Sequence, residues 1–416
     1  MSAEKYINLE NKHVANIYHP LDVVIDRAEG VWMFDVNGKR YLDCLSAYSA
    51  VSQGHCHPRI TEALIRQAQK VTLTSRAFRS DQLGPFSEEI CELFGYDMVL
   101  PLNSGAEAVE AAVKTARKWG YEVKGVPDGQ AEIIVCEGNF HGRTTTVISF
   151  SSEPRYRKHF GPLTPGFKLV PFGDHDALID AIGPNTVAFM VEPIQGENGI
   201  NIPPEGYLKF AKTLCERETI LFVADEIQVG LGRTGKMLGC DHDGVRPDIV
   251  ILGKALSGGA YPVSAILADR EILGLFNPGD HGSTFGGNPL GMAIAREALN
   301  VLVDEGMIEN AAKQGTYLAA RLRRIESPFV KEVRGRGLFV GLEVSEAARG
   351  ARRFAEELAE EGVLCKETHE TVIRFAPPLI VTREEIDWLV DRVEAVFERI
   401  ESEDGLASES TVGTAR

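Results

Sequence analysis

The stretch DIVILGKALSGG, residues 248–259, joins a run of apolar residues to a lysine and three glycines. Similar apolar runs recur through the middle of the chain, and segments with helical periodicity separate them. Such alternation is typical of βαβ units that build a parallel sheet. We therefore predict an α/β fold with a central, mostly parallel sheet flanked by helices. The predicted strands are Met98–Leu102, Glu132–Cys136, Val187–Val191, Ile220–Ala224, Asp248–Leu252 and Val263–Ala268.

The two ends of the chain predict a smaller α+β domain. Apolar residues on both sides of Asn37-Gly38 indicate a β-hairpin over Val31–Asp43 with a type I′ turn. Near the other end, Thr382 and Glu385 form a capping-box pattern for a helix from about Glu384. One apolar stripe at helical spacing follows and predicts a core-facing helix. Its members are Ile386, Leu389, Val390, Val393, Val396, Phe397 and Ile400.

The chain length predicts two domains, because 416 residues exceed what one compact core usually holds. We assign residues 1–47 to the N-terminal segment of the small domain and residues 48–300 to the large α/β domain. Residues 301–401 form the C-terminal part of the small domain. Residues 402–416 are small and polar, which predicts a disordered tail.

Charge and composition exclude several classes of partner. The net charge of −16 argues against nucleic acid or an anionic membrane. No run of 18 apolar residues occurs, and the N-terminus lacks the pattern of a signal or transit peptide, so we expect a cytoplasmic protein. The seven cysteines include no CxxC pair, which argues against disulfides or a zinc ribbon, and we predict no metal site.

Polar residues follow five of the predicted strands. Because ligands of open α/β sheets bind outside the carboxyl ends of the strands, these residues are candidates for one site. The first group opens a helix and predicts a seat for an anion such as phosphate. The others contribute an aromatic ring, an arginine, acids and a lysine. The five segments are Asn103–Glu107, Gly138–Arg143, Glu192–Glu197, Asp225–Gln228 and Gly253–Ala255.

This set of side chains suits pyridoxal 5′-phosphate (PLP). The cofactor needs a lysine amine for its aldehyde, a carboxylate for its ring nitrogen and a seat for its phosphate. Lys254 would hold PLP as a Schiff base and then move protons as general base and acid. Asp225 would keep the ring nitrogen protonated, and the glycines around Lys254 would leave room for the cofactor. Phe140 either stacks on the ring or packs in the core.

Motifs along nearly the whole chain resemble the class III aminotransferases, which have fold type I, and more narrowly their ornithine δ-aminotransferase branch. The motifs are Asn16–Pro20, Leu45–Pro58, Thr72–Phe78, Gly138–Arg143, Val191–Glu197, Ala224–Gln228, Gly253–Gly259, His281–Pro289 and Ile373–Pro378. The resemblance implies PLP as cofactor. It also implies transfer of the δ-amino group of ornithine to 2-oxoglutarate, with glutamate 5-semialdehyde and glutamate as products.

The resemblance also implies roles for the cofactor-binding residues. Lys254 carries PLP, Asp225 pairs with the ring nitrogen, and Gln228 hydrogen-bonds the 3′ oxygen. Thr284 reaches the phosphate of the neighbouring subunit, so the active site needs a homodimer. His141 belongs to the cofactor site, although familiar animal members have tryptophan there. Ser104, Gly105 and Ala106 bind the phosphate, and Phe140 stacks on the ring.

Two arginines are the candidate clamps for substrate carboxylates, because a guanidinium offers a planar fork. With Glu197 paired to Arg374, the ω-amine of ornithine enters while Arg143 and Tyr18 hold the α-carboxylate. With Glu197 displaced, Arg374 takes the α-carboxylate of 2-oxoglutarate and Arg143 its distal carboxylate. Tyr48 either marks ornithine specificity, as in the family pattern, or packs under a loop.

Several alternatives remain open on the sequence. Within the family these are the acetylornithine, 4-aminobutyrate and lysine aminotransferases, against which Tyr18 and Tyr48 together favour ornithine. A glutamate-semialdehyde aminomutase shares the fold but needs no external keto acid. A PLP-binding transcriptional regulator would need a DNA-binding domain ahead of the hairpin at Val31–Asp43, where the sequence leaves no room.

Overall fold

The chain forms fifteen strands and fourteen helices over residues 1–405, the part that the computed structural model describes. The strands are β1 (Ile25–Glu29), β2 (Trp32–Asp35), β3 (Arg40–Asp43), β4 (Met98–Leu102), β5 (Glu132–Cys136), β6 (Phe167–Val170), β7 (Thr186–Val191), β8 (Leu221–Asp225), β9 (Ile249–Leu252), β10 (Ser264–Ala268), β11 (Val330–Arg336), β12 (Phe339–Val344), β13 (Val363–Leu364), β14 (Lys366–Thr368) and β15 (Val372–Phe375). The helices are α1 (Ala3–His13), α2 (Ser46–Ser49), α3 (Pro58–Ala68), α4 (Leu83–Phe94), α5 (Gly105–Glu122), α6 (Thr145–Ser149), α7 (Pro154–Arg157), α8 (His175–Ala181), α9 (Tyr207–Arg217), α10 (Arg270–Leu273), α11 (Pro289–Asp304), α12 (Met307–Leu322), α13 (Arg352–Glu360) and α14 (Arg383–Glu403). None of these helices is long and apolar enough to cross a membrane.

Seven strands form the central sheet, in the order β4-β10-β9-β8-β7-β5-β6. Six of them match the predicted apolar runs to within one residue at each end. The sequence pattern does not predict β6, a four-residue strand at the sheet edge. Its Lys168 interrupts the continuous apolar run that marks a strand buried on both faces, and in the structure Leu169 is exposed.

Strand direction places six carboxyl ends, those of β4 and of β5 to β9, along one edge of the sheet. Strands β5 to β9 run parallel, whereas β10 is antiparallel to both β9 and β4. Because β10 reverses direction relative to both neighbours, β4 points the same way as β9. The segments that follow β4, β5, β7, β8 and β9 therefore meet at the same edge, and the predicted mostly parallel sheet is confirmed.

Helices cover both faces of this sheet. Alternate residues of β8 point to opposite sides, as strand geometry requires. Val223 packs in a cluster with helix α5, whereas Phe222 and Ala224 pack in a cluster with helix α9. This two-sided burial explains why the strands are almost continuously apolar.

The chain ends meet in two smaller sheets. One has the order β1-β2-β3-β13 and the other β11-β12-β15-β14. Strand β3, from the N-terminal part, pairs in parallel with β13 from the C-terminal part. The division into domains at residues 47 and 300 stays a prediction.

The predicted hairpin is present, but its predicted turn is wrong. Strands β2 and β3 pair antiparallel. A type I′ turn needs positive φ at both central residues, and of Asn37-Gly38 only Gly38 has it, at 86°. The cause is Asp35, whose carboxylate accepts the backbone N–H groups of Asn37 and Lys39, each at 2.9 Å. This side-chain bond stabilises a longer loop than the dipeptide suggests.

The C-terminal helix α14 begins with the predicted capping box. The Thr382 hydroxyl accepts the Glu385 N–H at 3.2 Å, and the Glu385 carboxylate accepts the Thr382 N–H at 2.8 Å. All seven residues of the predicted stripe are buried. The helix continues to Glu403, so the predicted disordered tail is wrong at its start. The rest of that tail, residues 406–416, lies outside the described residues.

Candidate active site

Asp225, the last residue of β8, is buried and held from two sides. Its Oδ2 lies 2.6 Å from His141 Nδ1, and its Oδ1 accepts the Ile227 N–H at 3.1 Å. Burial by itself lowers the pKa of His141, but the hydrogen bond to Asp225 outweighs it and the pKa is raised. The raised pKa favours the protonated imidazole, and the hydrogen bond to His141 fixes the orientation of the Asp225 side chain at the sheet edge.

Glu192, the residue after β7, is a buried acid to which the sequence assigned no role. Its carboxylate accepts the Phe140 N–H at 3.0 Å and so helps to place the Phe140 ring. Burial raises the pKa of Glu192 to about 7, and the nearby charge of Asp225 adds to this, while His141 opposes it. The position of Glu192 directly after a buried strand is a sequence signal for a functional acid. Its contact with Phe140, however, is visible only in the folded structure.

Lys254 follows β9 and is partly exposed at the same sheet edge. Burial of its amine lowers the pKa of Lys254 to about 8, although the charge of Glu197 opposes this. The lowered pKa increases the fraction of neutral amine near neutral pH, and the neutral amine is the form that acts as nucleophile and base. Lys254 also has a φ of 44°, a left-handed conformation that costs about 1–2 kcal/mol outside glycine.

Packing, rather than room for a cofactor, explains two of the glycines after Lys254. A Cβ on Gly258 would lie 2.5 Å from the Ile60 side chain, and one on Gly259 would lie 2.8 Å from Val51. Both glycines also have positive φ. They are therefore required by a tight turn against neighbouring segments.

The start of helix α5 has the geometry that the predicted anion seat requires. Ser104 is the N-cap, and its hydroxyl accepts the Glu107 N–H at 3.3 Å. The N–H groups of the first turn, including those of Gly105 and Ala106, have no acceptor within the helix. Ser264 fixes the cap from β10 by donating its hydroxyl to the Ser104 carbonyl at 2.7 Å. These donors suit a phosphate.

Arg374, on β15, is only 1% exposed and forms an ion pair. Its Nη1 donates to Glu197 Oε1 at 2.7 Å, whereas its Nε and Nη2 have no acceptor among the described residues. Gln228 donates to the same Glu197 oxygen at 3.0 Å. Burial alone raises the pKa of Glu197, but Arg374 and Lys254 outweigh it and lower the pKa to about 2. Glu197 and Arg374 therefore form a direct ion pair, and two guanidinium nitrogens of Arg374, Nε and Nη2, have no acceptor among the described residues.

Tyr48 lies in α2, a single turn of unusual geometry. All four residues of Ser46–Ser49 have positive φ, between 46° and 72°. Such strain marks functional segments when the surroundings maintain it. Asp43 accepts the Ser46 N–H at 2.8 Å, and the Ser46 hydroxyl donates to the Ala376 carbonyl at 2.8 Å. The turn is thereby fastened next to Arg374, whose guanidinium lies 5.1 Å from the Tyr48 ring centroid.

Three other predicted residues lie at the surface of the chain. Arg143 is exposed, and its guanidinium lies over the ring of Tyr156. Tyr18 is 70% exposed but close enough to Tyr48 to affect its pKa. Thr284 is exposed in the loop before α11.

The residues at this edge fit PLP. They supply an amine of lowered pKa, an oriented carboxylate and a helix start with free donors, and Phe140 adjoins the buried acids. The unused donors of Arg374 fit the carboxylate of a second ligand. The arrangement suits amine chemistry on a bound aldehyde, with substrates selected by carboxylates.

Comparisons with known proteins agree with this chemistry. The family model described as aminotransferase class-III matches residues 13–397. The ornithine aminotransferase of Bacillus subtilis (strain 168) is 59% identical over 395 residues, covering 95% of this chain and 98% of the relative.

Solved structures extend the comparison. The ornithine aminotransferase of Toxoplasma gondii ME49 has a TM-score of 0.95 and 46% identity, covering 97% of this chain and 96% of that one. Another structure of the Toxoplasma gondii enzyme is described as having PLP at partial occupancy in its active site. The acetylornithine aminotransferase of Elizabethkingia anophelis has a TM-score of 0.86 and 46% identity, with 95% and 99% coverage.

Proposed function

The chain belongs to the class III aminotransferase family, and we propose that it transfers the δ-amino group of L-ornithine to 2-oxoglutarate. The products are glutamate and glutamate 5-semialdehyde, which cyclises to pyrroline-5-carboxylate. The observation that carries this proposal is the closed pair of Arg374 and Glu197, beside Tyr48, in a chain 59% identical to an ornithine aminotransferase. A neutralised arginine admits the cationic end of a diamino acid, which a free guanidinium would repel.

PLP supplies an aldehyde that binds amines and a ring that withdraws electrons from the carbon losing its proton. Lys254 would hold the cofactor. Once the ornithine amine has displaced it, its Nζ would take the proton from Cδ of ornithine and deliver it to the cofactor carbon that carried the aldehyde. Asp225, oriented by His141 at 2.6 Å, holds a proton at the ring nitrogen. Phe140 would lie against the ring, and Gln228 would donate to the 3′ oxygen. The α5 start at Ser104, Gly105 and Ala106 would bind the phosphate.

The two substrates differ in where their charges lie, and the two arginines respond to that difference. For ornithine, Arg143 and Tyr18 bind the α-carboxylate while Glu197 keeps Arg374 neutralised. For 2-oxoglutarate, Glu197 moves away and Arg374 binds the α-carboxylate with its Nε and Nη2 donors, which have no acceptor among residues 1–405. Arg143 then binds the distal carboxylate.

A homodimer belongs to the same proposal. Large apolar side chains are exposed on the single chain at Ile17 (77%), Phe78 (73%) and Phe285 (48%). Burial of these side chains against another subunit would remove their apolar surface from water. Thr284, beside Phe285, would then bind the phosphate of the neighbouring subunit. We also assign the enzyme to the cytoplasm and, through its substrate, to arginine and proline metabolism.

A panel of amino donors with 2-oxoglutarate tests the function. Ornithine, acetylornithine, 4-aminobutyrate and lysine are compared by kcat/KM, and the semialdehyde or its cyclised pyrroline is trapped as product. We expect ornithine to be preferred over each of the others by at least about 10-fold, equivalent to 1.4 kcal/mol. Turnover of acetylornithine without turnover of ornithine would contradict the proposal. Turnover without any keto acid would indicate an aminomutase.

A further inference from the structure

Arg143 has an aromatic neighbour that the proposed function does not use. The guanidinium carbon of Arg143 lies 3.4 Å from the ring centroid of Tyr156 and 5.4 Å from that of Phe140. Among the described residues, no acceptor forms a hydrogen bond or ion pair with its five N–H donors. Stacking on Tyr156 is therefore the closest contact that orients this guanidinium.

A stacked guanidinium keeps its binding capacity. Cation–π contact occupies the face of the planar group, whereas its N–H donors point outward in the plane. We propose that Tyr156 is a positioning residue for substrate carboxylates, which holds the fork of Arg143 ready for bidentate binding. This inference rests on the proposed function, because it concerns the carboxylates that Arg143 binds.

Tyr156 is itself held in place. It lies in the short helix α7, which Glu153 caps by accepting the Arg155 N–H at 3.1 Å. Its own N–H donates to the Glu153 carbonyl at 3.1 Å. The neighbouring Ser152 hydroxyl accepts the Gly138 N–H at 2.8 Å and so ties this segment to the loop that carries Phe140 and Arg143.

Tyr156 also contacts the aromatic ring proposed to lie against the cofactor. The rings of Tyr156 and Phe140 meet edge to face, with centroids 6.3 Å apart and an interplanar angle of 82°. One side chain therefore contacts both Phe140, the proposed cofactor platform, and Arg143, the proposed carboxylate clamp. Because ornithine and 2-oxoglutarate both use Arg143, Tyr156 acts on both half-reactions and not on the discrimination between them.

The experiment compares Tyr156→Leu, which removes the ring, with Tyr156→Phe, which keeps it. Cation–π energies of about 0.5–2 kcal/mol convert to a rise in KM of about 2–30-fold. We expect Tyr156→Leu to raise KM for ornithine and for 2-oxoglutarate within that range and to leave kcat within about 2-fold. Tyr156→Phe keeps both KM values close to those of the wild type.

A double-mutant cycle with Arg143→Gln separates positioning from a merely structural role. If Tyr156 acts through Arg143, Tyr156→Leu changes KM by less than about 2-fold in the Arg143→Gln background. An equal effect in both backgrounds would overturn the proposal, as would a Tyr156→Phe variant as impaired as Tyr156→Leu. Should Tyr156→Leu unfold, Tyr156→Met serves in the same cycle.

Failure of the proposed function would leave a different signature. In that case the wild-type chain would not use ornithine, whichever residue occupies position 156. The same cycle is then run with the donor that the panel identifies, since each candidate donor carries a carboxylate for Arg143. A KM insensitive to Tyr156→Leu with that donor would overturn the positioning role alone.

Discussion

The two arginines of the site have the same fork in opposite surroundings. Arg374 is 1% exposed, lies on a strand and is paired with Glu197 at 2.7 Å. Arg143 is exposed, lies on a loop and rests on the ring of Tyr156. A buried guanidinium with a movable partner can be switched between substrates, whereas a stacked one at the surface is always available. One pocket can therefore accept two substrates that share only one carboxylate position.

The two environments fit the division of labour that we propose for Arg374 and Arg143. Burial makes unused donors costly, by about 1–3 kcal/mol each, and Arg374 has two without an acceptor in the described chain. A substrate carboxylate that satisfies them recovers that energy, which favours displacement of Glu197 only when such a carboxylate is present. Arg143 carries no such cost, because water reaches its donors.

We expect the largest loss of activity from Lys254→Ala, at the lysine beside the buried pair of Arg374 and Glu197. This change removes the amine that holds the cofactor and moves the proton, and the proton transfer alone is worth about 10²–10⁴-fold in rate. We expect no measurable ornithine turnover and loss of the visible absorbance of the lysine-bound cofactor. The matched control is Lys313→Ala, at an exposed lysine. A Lys254→Ala variant that keeps both signals would contradict the cofactor assignment.

A second prediction compares the arginines by stability. Arg374→Ala leaves Glu197 without its partner, and removal of one member of a buried pair costs about 3–5 kcal/mol. We expect about 2–3 kcal/mol here, because the Glu197 side chain is 26% exposed. Arg143→Ala loses only a stacking contact and should cost about 1 kcal/mol or less.

Urea unfolding of both variants, at one protein concentration and with cofactor present, measures this difference. Equal losses for Arg374→Ala and Arg143→Ala would show that the two environments are equivalent in energy.

The smallest expected effect tests whether Glu197 controls access of substrate carboxylates to Arg374. Glu197→Ala frees Arg374, so α-amino acids such as glutamate should compete with ornithine as donors. A charge-assisted hydrogen bond is worth about 1.5–3 kcal/mol, so the preference for ornithine should fall by about 10–100-fold. Steady-state kinetics with both donors measures this, with Glu205→Ala at the surface as the control. An unchanged preference would count against the switch.

Local patterns in the sequence predict much of the fold. The six apolar runs are strands because residues buried on both faces must be apolar, and the capping box at Thr382 and Glu385 is local by nature. The pattern fails where a strand is short and at an edge, as in β6. It also fails where a side chain overrides a turn preference, as Asp35 does at Asn37-Gly38.

The sequence by itself determined that an acid, a lysine and a helix start follow parallel strands, and so that they meet at one edge. Only the tertiary structure decided the contacts between distant segments. Arg374 and Glu197 are 177 residues apart in the chain. No local sequence pattern at Glu192 indicates that it contacts Phe140. No motif marks Tyr156 as the neighbour of Arg143. The physical reason is that periodicity and capping depend on adjacent residues, whereas burial, pairing of charges and stacking depend on which segments the fold packs together.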